Sequence, residues 1–476
     1  MTHTRGFSPE AALTFEPYAG AVIDRYRIPG LVVAASRDGT PVYVRSFGYA
    51  DVERGVPTTP ETVFGVASVT KSFTAASIMR LADAGALRVS DPVAQYLPEF
   101  RIPGGNTTQV KIHHLLTHTA GLPGLASRWY AFARSATRDP EGAKPPVRID
   151  ARPPIETYAD LFTYLLEDDW IPLGPPGAQC SYSNEGYVML GAIIERVSGR
   201  PFTRYVTEEI FEPAGLANTA FGPSDAVRPP TMSMPHIPRI RDGRTEVVTA
   251  SSWWYSDVWN PAGGICSTVE DLLRYLEIYR TGGLVGHERI LSQQAVAEML
   301  RPHIEVWPGC GYGYGLQILD DYRTGPLAEH GGGRRSIAAH VAFIPAQGLA
   351  VAVLANLADV PVRLIAHATL NVMQDVAPDT PPQTFTQQEI PPHRCRAYLG
   401  EYRSTEGTVI RVQSGVTGVT VEVDGTTWPA QPVGDNAFVV RVRDGSVYTR
   451  FLLDPVGRAQ AVAHGLRIIR RTPTHA

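Results

Sequence analysis

Hydrophobic positions near the start of the chain alternate and cluster as expected for β-strands. The apolar run 31–35 and the segment 42–44 flank Asp38-Gly39, which predicts a β-hairpin. A second pair of strands is predicted late, over 338–344 and 349–355, around a Pro-Ala-Gln-Gly turn. Strands therefore lie at both ends of the first 376 residues.

Helical periodicity fills the region between these strands. Apolar residues share one stripe over 67–84, with Gly85 as a stop, and a second stripe runs over 187–197 before Gly199. Ser267 and Glu270 have the spacing of a capping box before a third helix. We predict a mixed α/β (α+β) domain over 1–376, with one antiparallel sheet assembled from the first and last strands and flanked by helices.

Two other stretches differ in composition. Residues 123–176 are rich in Pro, Arg and Asp, and we expect them to run over the surface. Residues 377–392 are rich in Pro and Gln, which is typical of a linker. Beyond the linker, short alternating segments with turns at Asp424-Gly425 and Asp444-Gly445 predict a small antiparallel β-barrel or sandwich over 393–476.

The composition of the 476 residues is that of a soluble globular protein, with 43% hydrophobic and 19% charged residues. The net charge of −4, without a basic run, argues against nucleic acid or an anionic membrane as partner. No apolar stretch is long enough to span a bilayer and no secretory leader is visible, so we expect a cytoplasmic protein. The four widely spaced cysteines are expected to be inert thiols: Cys180, Cys266, Cys310 and Cys395.

The first candidate for chemistry is Ser68-Val69-Thr70-Lys71. Residues at i and i+3 share a helix face, so Lys71 can reach the Ser68 hydroxyl. A serine hydroxyl needs a neighbouring base to become a nucleophile, and a desolvated lysine can supply one. The alternative is a capping serine followed by a solvated lysine.

The second candidate is Tyr182-Ser183-Asn184, immediately before an amphipathic helix. A tyrosine phenolate beside a lysine ammonium can act as a general base, and the Asn184 amide can orient substrate or lysine. The alternative is a loop tyrosine with Asn184 as helix N-cap.

The third candidate is His330-Gly331-Gly332-Gly333, just before a predicted strand. Glycines let a substrate backbone approach a strand edge, and His330 can support proton transfer. The alternative is a flexible glycine turn with an incidental histidine.

Order and spacing connect the three candidates, which are separated by 114 and 148 residues. They resemble the three motifs of the serine β-lactamase and penicillin-binding protein superfamily. The segments 114–123, 260–268 and 313–316 are similar to further motifs of that superfamily. Over roughly 15–375 the chain is closest to the class C-like branch of esterases, D-aminopeptidases and D,D-peptidases, and its end resembles their lipocalin-like extensions.

This resemblance implies the superfamily's sheet, its all-helical subdomain and its site residues. Ser68 would be the nucleophile, and Tyr182 would act with Lys71 as general base and then as acid. Asn184 would hold the substrate's amide or the lysine, and His330 takes the place of the family's lysine. The remaining substrate-binding positions would be Gly332, Arg334 and Gly333, the last contributing its N–H to the oxyanion hole with that of Ser68. No metal or cofactor is implied.

Two interpretations remain open for several residues near these motifs. Arg334 and Arg335 either bind a substrate carboxylate or are solvated turn residues. The aromatic run 253–255 either lines an acyl pocket or belongs to the core. His113, His114 and His118 lack a carboxylate or cysteine to complete a metal site and are interpreted as structural.

We therefore expect a metal-free serine hydrolase that cleaves a small peptide or amide, including one with a D-configured residue, or an ester. One alternative is an acyltransferase of a biosynthetic pathway that uses the same acyl-enzyme. Another is a non-catalytic penicillin-binding-like protein. The expected partner is a small-molecule or short peptide substrate, and a homo-oligomer is compatible with the sequence.

Overall fold

The structure is a computed structural model of the chain. It describes residues 7–105, 107–139, 145–222, 232–241, 244–323, 325–415, 418–423, 425–442 and 445–473. The predicted turn residues Asp424 and Asp444 lie outside these ranges.

The strands of the first part of the chain, in order, are β1 Gly30–Arg37, β2 Thr40–Asp51, β3 Val56–Pro57, β4 Phe64–Gly65, β5 Ala220–Phe221, β6 His236–Arg241, β7 Arg244–Thr249, β8 Ile265–Ser267, β9 Leu284–Val285, β10 Glu288–Arg289, β11 Ile304–Trp307, β12 Cys310–Tyr312, β13 Gln317–Tyr322, β14 Gly325–Arg334, β15 Ile337–Ile344 and β16 Leu349–Ala355. Nine of them form one antiparallel sheet in the order β11-β12-β13-β14-β15-β16-β1-β2-β3.

The helices, in order, are α1 Pro9–Tyr26, α2 Thr70–Asp83, α3 Val93–Tyr96, α4 Ile112–Leu116, α5 Ser127–Ala131, α6 Ala133–Thr137, α7 Tyr158–Glu167, α8 Asn184–Ser198, α9 Phe202–Val206, α10 Glu212–Ala214, α11 Asn260–Gly263, α12 Val269–Arg280, α13 Gln293–Leu300, α14 Val362–Val372 and α15 Pro392–Cys395. Short 3-10 turns and one π-helical turn (Thr207–Phe211) connect some of them.

Both faces of the nine-stranded sheet are covered by helices. Side chains alternate along a strand, so Val32 and Ala34 of β1 join a core with α2, α8 and α12, whereas Leu31 and Val33 face α1 and α14. Both cores consist of buried aliphatic and aromatic residues, which explains why the central strands are apolar throughout. The predicted α/β fold with an antiparallel sheet flanked by helices is confirmed.

The sheet also confirms the predicted pairing of early and late strands. β1 pairs with β16 from Leu31 opposite Ala355 to Arg37 opposite Leu349. Asp38 and Gly39 both have positive φ values, 52° and 77°, as a tight hairpin turn between β1 and β2 requires.

Two local predictions need correction. Only parts of 123–176 run over the surface: 145–154 and 171–176 contain no buried residue. The stretch also forms α5, α6 and α7 and buries residues such as Tyr130, Phe132 and Leu161 in the core. The N-cap of α12 is Thr268, which accepts a hydrogen bond from the N–H of Asp271, so the predicted capping box lies one residue too early.

The last part of the chain forms a second, eight-stranded antiparallel sheet whose strands follow chain order. Its strands are β17 Gly400–Arg403, β18 Val409–Gly415, β19 Gly418–Val423, β20 Thr426–Gly434, β21 Ala437–Val442, β22 Gly445–Leu453, β23 Ala459–His464 and β24 Arg467–Arg470. A bridge between Tyr402 and Arg471 brings the first and last strands together, so the sheet is a nearly closed barrel around its own apolar core. The predicted barrel is confirmed, while the domain boundaries stay a prediction.

Within the described part of the chain, no helix has both the length and the apolar character needed to cross a bilayer. All four cysteines are free thiols, and three of them are buried.

Candidate active site

Ser68 lies in a 3-10 turn, Ala67–Val69, that leads directly into α2. The preceding residue, Ala67, has φ 44°, a left-handed conformation that costs energy for a residue with a Cβ. The turn leaves Ser68 partly exposed while its neighbours are buried. Backbone strain at this point therefore presents the hydroxyl of Ser68 to the site.

Lys71 follows one turn later and is fully buried. Its Nζ lies 3.1 Å from Ser68 Oγ, 2.9 Å from Asn184 Oδ1 and 2.7 Å from the carbonyl oxygen of Ala262. The last two atoms can only accept hydrogen bonds. As a neutral amine, Lys71 would donate its two N–H groups to these oxygens and keep its lone pair for the proton of the Ser68 hydroxyl.

The surroundings of Lys71 favour this neutral form. Burial holds the pKa of Lys71 well below its usual value, and the positive charge of Arg467 lowers it further, against the opposing charges of Glu185 and Glu406. Proximity to the N-terminal end of α2 acts in the same direction. The alternative of a solvated lysine after a capping serine is excluded.

Tyr182 and Asn184 are brought to Ser68 and Lys71 by the start of α8. Ser183 is the N-cap, because its Oγ accepts from the N–H of Gly186. Asn184 is instead the first helical residue, and its side chain holds Lys71. The ring of Tyr182 lies 4.8 Å from Lys71 Nζ, so the two first motifs form one cluster.

The side chain of Tyr182 is buried, with 9% exposure. Burial raises the pKa of Tyr182, whereas the Ser68 hydrogen bond and the charge of Arg467 partly offset this. Tyr182 is thus a protonated phenol at neutral pH, beside a lysine whose pKa is lowered. Two adjacent groups whose pKa values shift apart in this way are typical of an acid–base pair.

His330 is linked to the cluster through a buried hydrogen-bond chain. The N–H of Ser183 donates to His118 Nδ1 (3.1 Å), which leaves the His118 proton on Nε2, toward Tyr312 Oη (3.2 Å). Tyr312 can then donate to His330 Nε2 (3.1 Å), while His330 Nδ1 donates to the carbonyl of Gly331 (2.6 Å). These partners assign both histidines a neutral tautomer.

Burial and the nearby Lys71 lower the pKa of His330 to about 3. His330 is therefore neutral throughout the physiological range. Its ring lies 6.2 Å from that of Tyr182, between centroids.

The glycines after His330 form a strand edge next to the nucleophile. β13 pairs with β14 only as far as Glu329, so among the described residues 330–334 have no strand partner on that side. A Cβ on Gly332 would lie 2.0 Å from the Val66 carbonyl oxygen and 3.2 Å from the Ser68 nitrogen. Gly333 has open space around it and is exposed. The edge is therefore accessible to an extended substrate at Gly333.

The two arginines of the β14–β15 turn are not solvated. Arg335 is 10% exposed, forms a 2.5 Å ion pair with Asp139, and lies over the ring of Trp254. Arg334 contacts the Gly263 carbonyl at 3.3 Å and lies over Phe132, and burial lowers its pKa. The pairing with Asp139 leaves Arg334 as the better candidate for a substrate carboxylate.

The structure also places the aromatic run 253–255 and the clustered histidines, for which two interpretations were open. Trp254 is buried and donates to Asp139, so it belongs to the core, while Trp253 is half-buried beside Gly65. Of the clustered histidines, His113 forms a hydrogen bond with Tyr314, and His118 is part of the hydrogen-bond chain that leads to His330.

The C-terminal barrel reaches this site through its last strand and the turn before it. The N–H of Tyr182 donates to the Leu466 carbonyl (2.8 Å), and Arg467 donates to the Tyr182 carbonyl (3.1 Å) and lies 5.2 Å from its ring centroid. Glu406, also from the barrel, is buried and pairs with both Arg467 and Arg128. These residues are distant in sequence and carry no motif, so only the fold brings them to Tyr182.

One group among the described residues has the ligand types of a metal site: Glu329, His340 and His367. Glu329 also accepts two hydrogen bonds from Arg363, at 3.0 and 2.6 Å. Because a guanidinium already neutralises this carboxylate, the group fits a buried ion pair better than a cation site.

Similarity to known proteins shows the family of this chain. A family model described as Beta-lactamase matches residues 14–372. Esterase EstB of Burkholderia gladioli is 32% identical over 354 residues, which cover 70% of this chain and 87% of the esterase. Penicillin-binding protein 4 of Amycolatopsis lactamdurans is 25% identical over 344 residues, covering 71% and 83%.

A solved structure extends the likeness to the barrel. The octameric penicillin-binding protein homologue from Pyrococcus abyssi superposes with a TM-score of 0.68 at 27% identity and covers 96% of this chain and 98% of its own. The match of the family model over most of the chain, together with the identity to the esterase, shows that this chain belongs to the β-lactamase family.

Proposed function

We propose that the protein is a serine hydrolase that works through an acyl-enzyme on Ser68. The observation that carries this proposal is the buried Lys71 amine, 3.1 Å from Ser68 Oγ and bound on its other sides by two carbonyl oxygens. A lysine in this position is a base directed at a single hydroxyl.

In the first step, the oxygen of Ser68 attacks the carbonyl carbon of the substrate and its proton passes to Lys71 Nζ. The N–H groups of Ser68 and Gly333 would stabilise the negative charge on the carbonyl oxygen. Tyr182, as a protonated phenol, would then donate its proton to the leaving group and recover one from Lys71. Water repeats the sequence to release the acyl group and restore Ser68.

The same groups support an amide, a peptide or an ester as substrate. An exposed strand edge at Gly333 suits the backbone of an amide or peptide. We assign the orientation of its polar groups to Asn184, which holds Lys71, and to Arg334, which follows Gly333 in the chain. The esterase and penicillin-binding protein relatives are compatible with either an ester or an amide.

The test compares initial rates on D-alanine p-nitroanilide, L-alanine p-nitroanilide and p-nitrophenyl butyrate. Wild type should release chromophore from at least one of them, and Ser68→Ala should not. Ser77→Ala is a matched control in α2, the helix that follows Ser68, because the Ser77 hydroxyl donates to the carbonyl of Phe73. Full activity in Ser68→Ala would exclude Ser68 as nucleophile.

An acyltransferase would share every step up to the acyl-enzyme. It is distinguished by an acyl-enzyme that water discharges slowly and an added amine discharges quickly. A protein that acylates but is discharged by neither would be a non-catalytic binder.

A further inference from the structure

A cavity of about 1040 Å³ lies between the nine-stranded sheet and the barrel. Its walls come from α1, from the start of α14, from the segment 378–385, and from the barrel segments 445–448 and 464–467. Most of its lining thus comes from parts of the chain outside the hydrolase motifs.

One end of this cavity meets the candidate active site. Tyr182, His330 and Gly331 line it, whereas Ser68 does not. Since Tyr182 is the proposed acid for the leaving group, the cavity begins on the side where a leaving group departs or an acceptor enters.

The size of the cavity sets the size of its ligand. Pockets for drug-sized ligands measure roughly 300–1000 Å³, so this one is at the upper limit. A single amino acid or a nitrophenyl group would leave most of it empty. A chain of several residues would fill it.

The lining sets the chemistry of the ligand. Aromatic and aliphatic side chains dominate, among them Tyr18, Trp307, Leu364, Phe385 and Tyr448. The charged lining residues are Arg25, Arg363, Arg467 and, as the one acid among the described residues, Asp379. An apolar chain that is neutral or acidic matches this wall, and a cationic chain does not.

Part of this wall is rigid before any ligand arrives. Arg363 is held by two hydrogen bonds to the buried Glu329, which also accepts from His340 (2.9 Å) and His367 (2.6 Å). A preorganised wall reduces the entropy that binding must offset.

We propose that this cavity binds the leaving-group or acceptor portion of the substrate, and that this portion is an apolar peptide chain of several residues. The proposal rests on the acyl-enzyme proposed above. In the transfer step, the amine nitrogen of the peptide forms a bond with the acyl carbon, the bond from that carbon to Ser68 Oγ breaks, and the proton lost by the amine returns to Ser68 through Tyr182 and Lys71.

The first arm of the test measures binding without turnover. Leucine amide and the tetrapeptide Leu-Tyr-Ala-Leu, each in all-L and all-D form, are titrated calorimetrically into the Ser68→Ala protein. In one configuration the tetrapeptide should bind at least about tenfold more tightly than leucine amide, because it buries more apolar surface. If the tetrapeptide and leucine amide bind equally tightly in the all-L form and also in the all-D form, the proposal is overturned.

Cavity-filling variants locate the binding. Ala21→Trp in α1 and Leu364→Trp in α14 should each remove most of the difference in affinity between the tetrapeptide and leucine amide. Leu13→Trp is the matched control, because Leu13 lies on the same helix as Ala21, is 75% exposed and does not line the cavity. An advantage that survives both cavity variants also overturns the proposal.

The second arm separates this inference from the proposed function. Wild type is acylated with p-nitrophenyl butyrate, and the formation of butyryl-tetrapeptide and butyryl-leucine amide is measured at equal acceptor concentrations. The tetrapeptide should be acylated at least about tenfold faster. No release of chromophore from this ester or from either alanine p-nitroanilide contradicts the acyl-enzyme, whereas release without a preference for the tetrapeptide contradicts only the cavity's role.

Discussion

Lys71 is the residue whose chemistry depends most on its surroundings. Burial keeps its pKa well below the usual value, so its neutral form persists to lower pH than that of a free lysine. Activity should fall as the pH falls through this lowered pKa, because protonation removes the base. His330, with a pKa of about 3, does not account for an acid limb near neutral pH.

The measurement is the pH profile of kcat/KM, with Lys71→Arg as comparison. A guanidinium cannot act as base at neutral pH, so this variant should lose at least about 10²-fold in kcat/KM at every pH tested.

The stability of the protein should change with pH in the same direction. Between the lowered pKa of Lys71 and 10.5, the unfolded state binds more protons than the folded state, so the contribution of Lys71 to the free energy of unfolding rises with pH. Lys71→Met should lack this slope, and an unchanged slope would argue against a neutral Lys71.

His330 is expected to position groups rather than to transfer protons. His330→Gln keeps an acceptor for Tyr312 and a donor for the Gly331 carbonyl, so kcat/KM should stay within about tenfold of wild type. His330→Ala leaves the buried Tyr312 hydroxyl without this acceptor and should lower the free energy of unfolding by about 1–3 kcal/mol. Loss of all activity in the glutamine variant, with a shifted pH profile, would instead make His330 a proton carrier.

At the scale of single residues, the sequence identifies the motif residues but not the residues that surround them in the fold. Ser68 and Lys71 are three residues apart on a helix, so their contact follows from local geometry. Arg467 and Tyr312 touch the same groups only because distant strands fold onto them. No local pattern marks such residues.

Among the structural elements, the edge of β14 beside Ser68 tolerates no additional atom at Gly332. Gly332→Ala would place a Cβ 2.0 Å from the Val66 carbonyl oxygen, so the strand must move. We expect a loss of about 1–3 kcal/mol in the free energy of unfolding and at least about tenfold in kcat/KM. Gly333→Ala is the matched control for stability, because a Cβ there meets nothing within 4 Å. Equal losses of stability in the two variants would contradict the close approach of Gly332 to the nucleophile turn.

Elements with strong local signals were predicted correctly. The alternation and the Asp38-Gly39 turn specify the β1–β2 hairpin, and Gly199, in the left-handed conformation, ends α8 as expected. Residues 123–176 were misjudged because their aromatic anchors are scattered among prolines and arginines. The misplaced capping box arose because Ser267 and Thr268 both carry a hydroxyl, and only the backbone direction decides which one caps α12.

At the scale of the whole molecule, Glu406 joins the barrel to the hydrolase core. Its carboxylate is 5% exposed and pairs with Arg128 at 3.1 Å and with Arg467. Glu406→Gln would leave two guanidinium groups without their counter-ion and should lower the free energy of unfolding by about 3–5 kcal/mol. Chemical denaturation of the full chain measures this loss.

Glu401→Gln is the control for this prediction. Glu401 pairs with Arg403 and Arg411 on the barrel surface, where solvent screens the charges, so the change in stability should be small. Similar effects of the two substitutions would show that Glu406 does not hold the interface. The interface itself was beyond sequence analysis, because each sheet has its own apolar core and nothing in either pattern specifies how they dock.

The most direct test of the account is the mass of the protein during turnover of p-nitrophenyl butyrate. Wild type quenched with acid should carry one added butyryl group, and digestion should place it on the peptide that contains Ser68. The Ser68→Ala protein should carry none under the same conditions. A butyryl group on another residue, or a Ser68→Ala protein that is acylated to the same extent, would contradict the acyl-enzyme on Ser68.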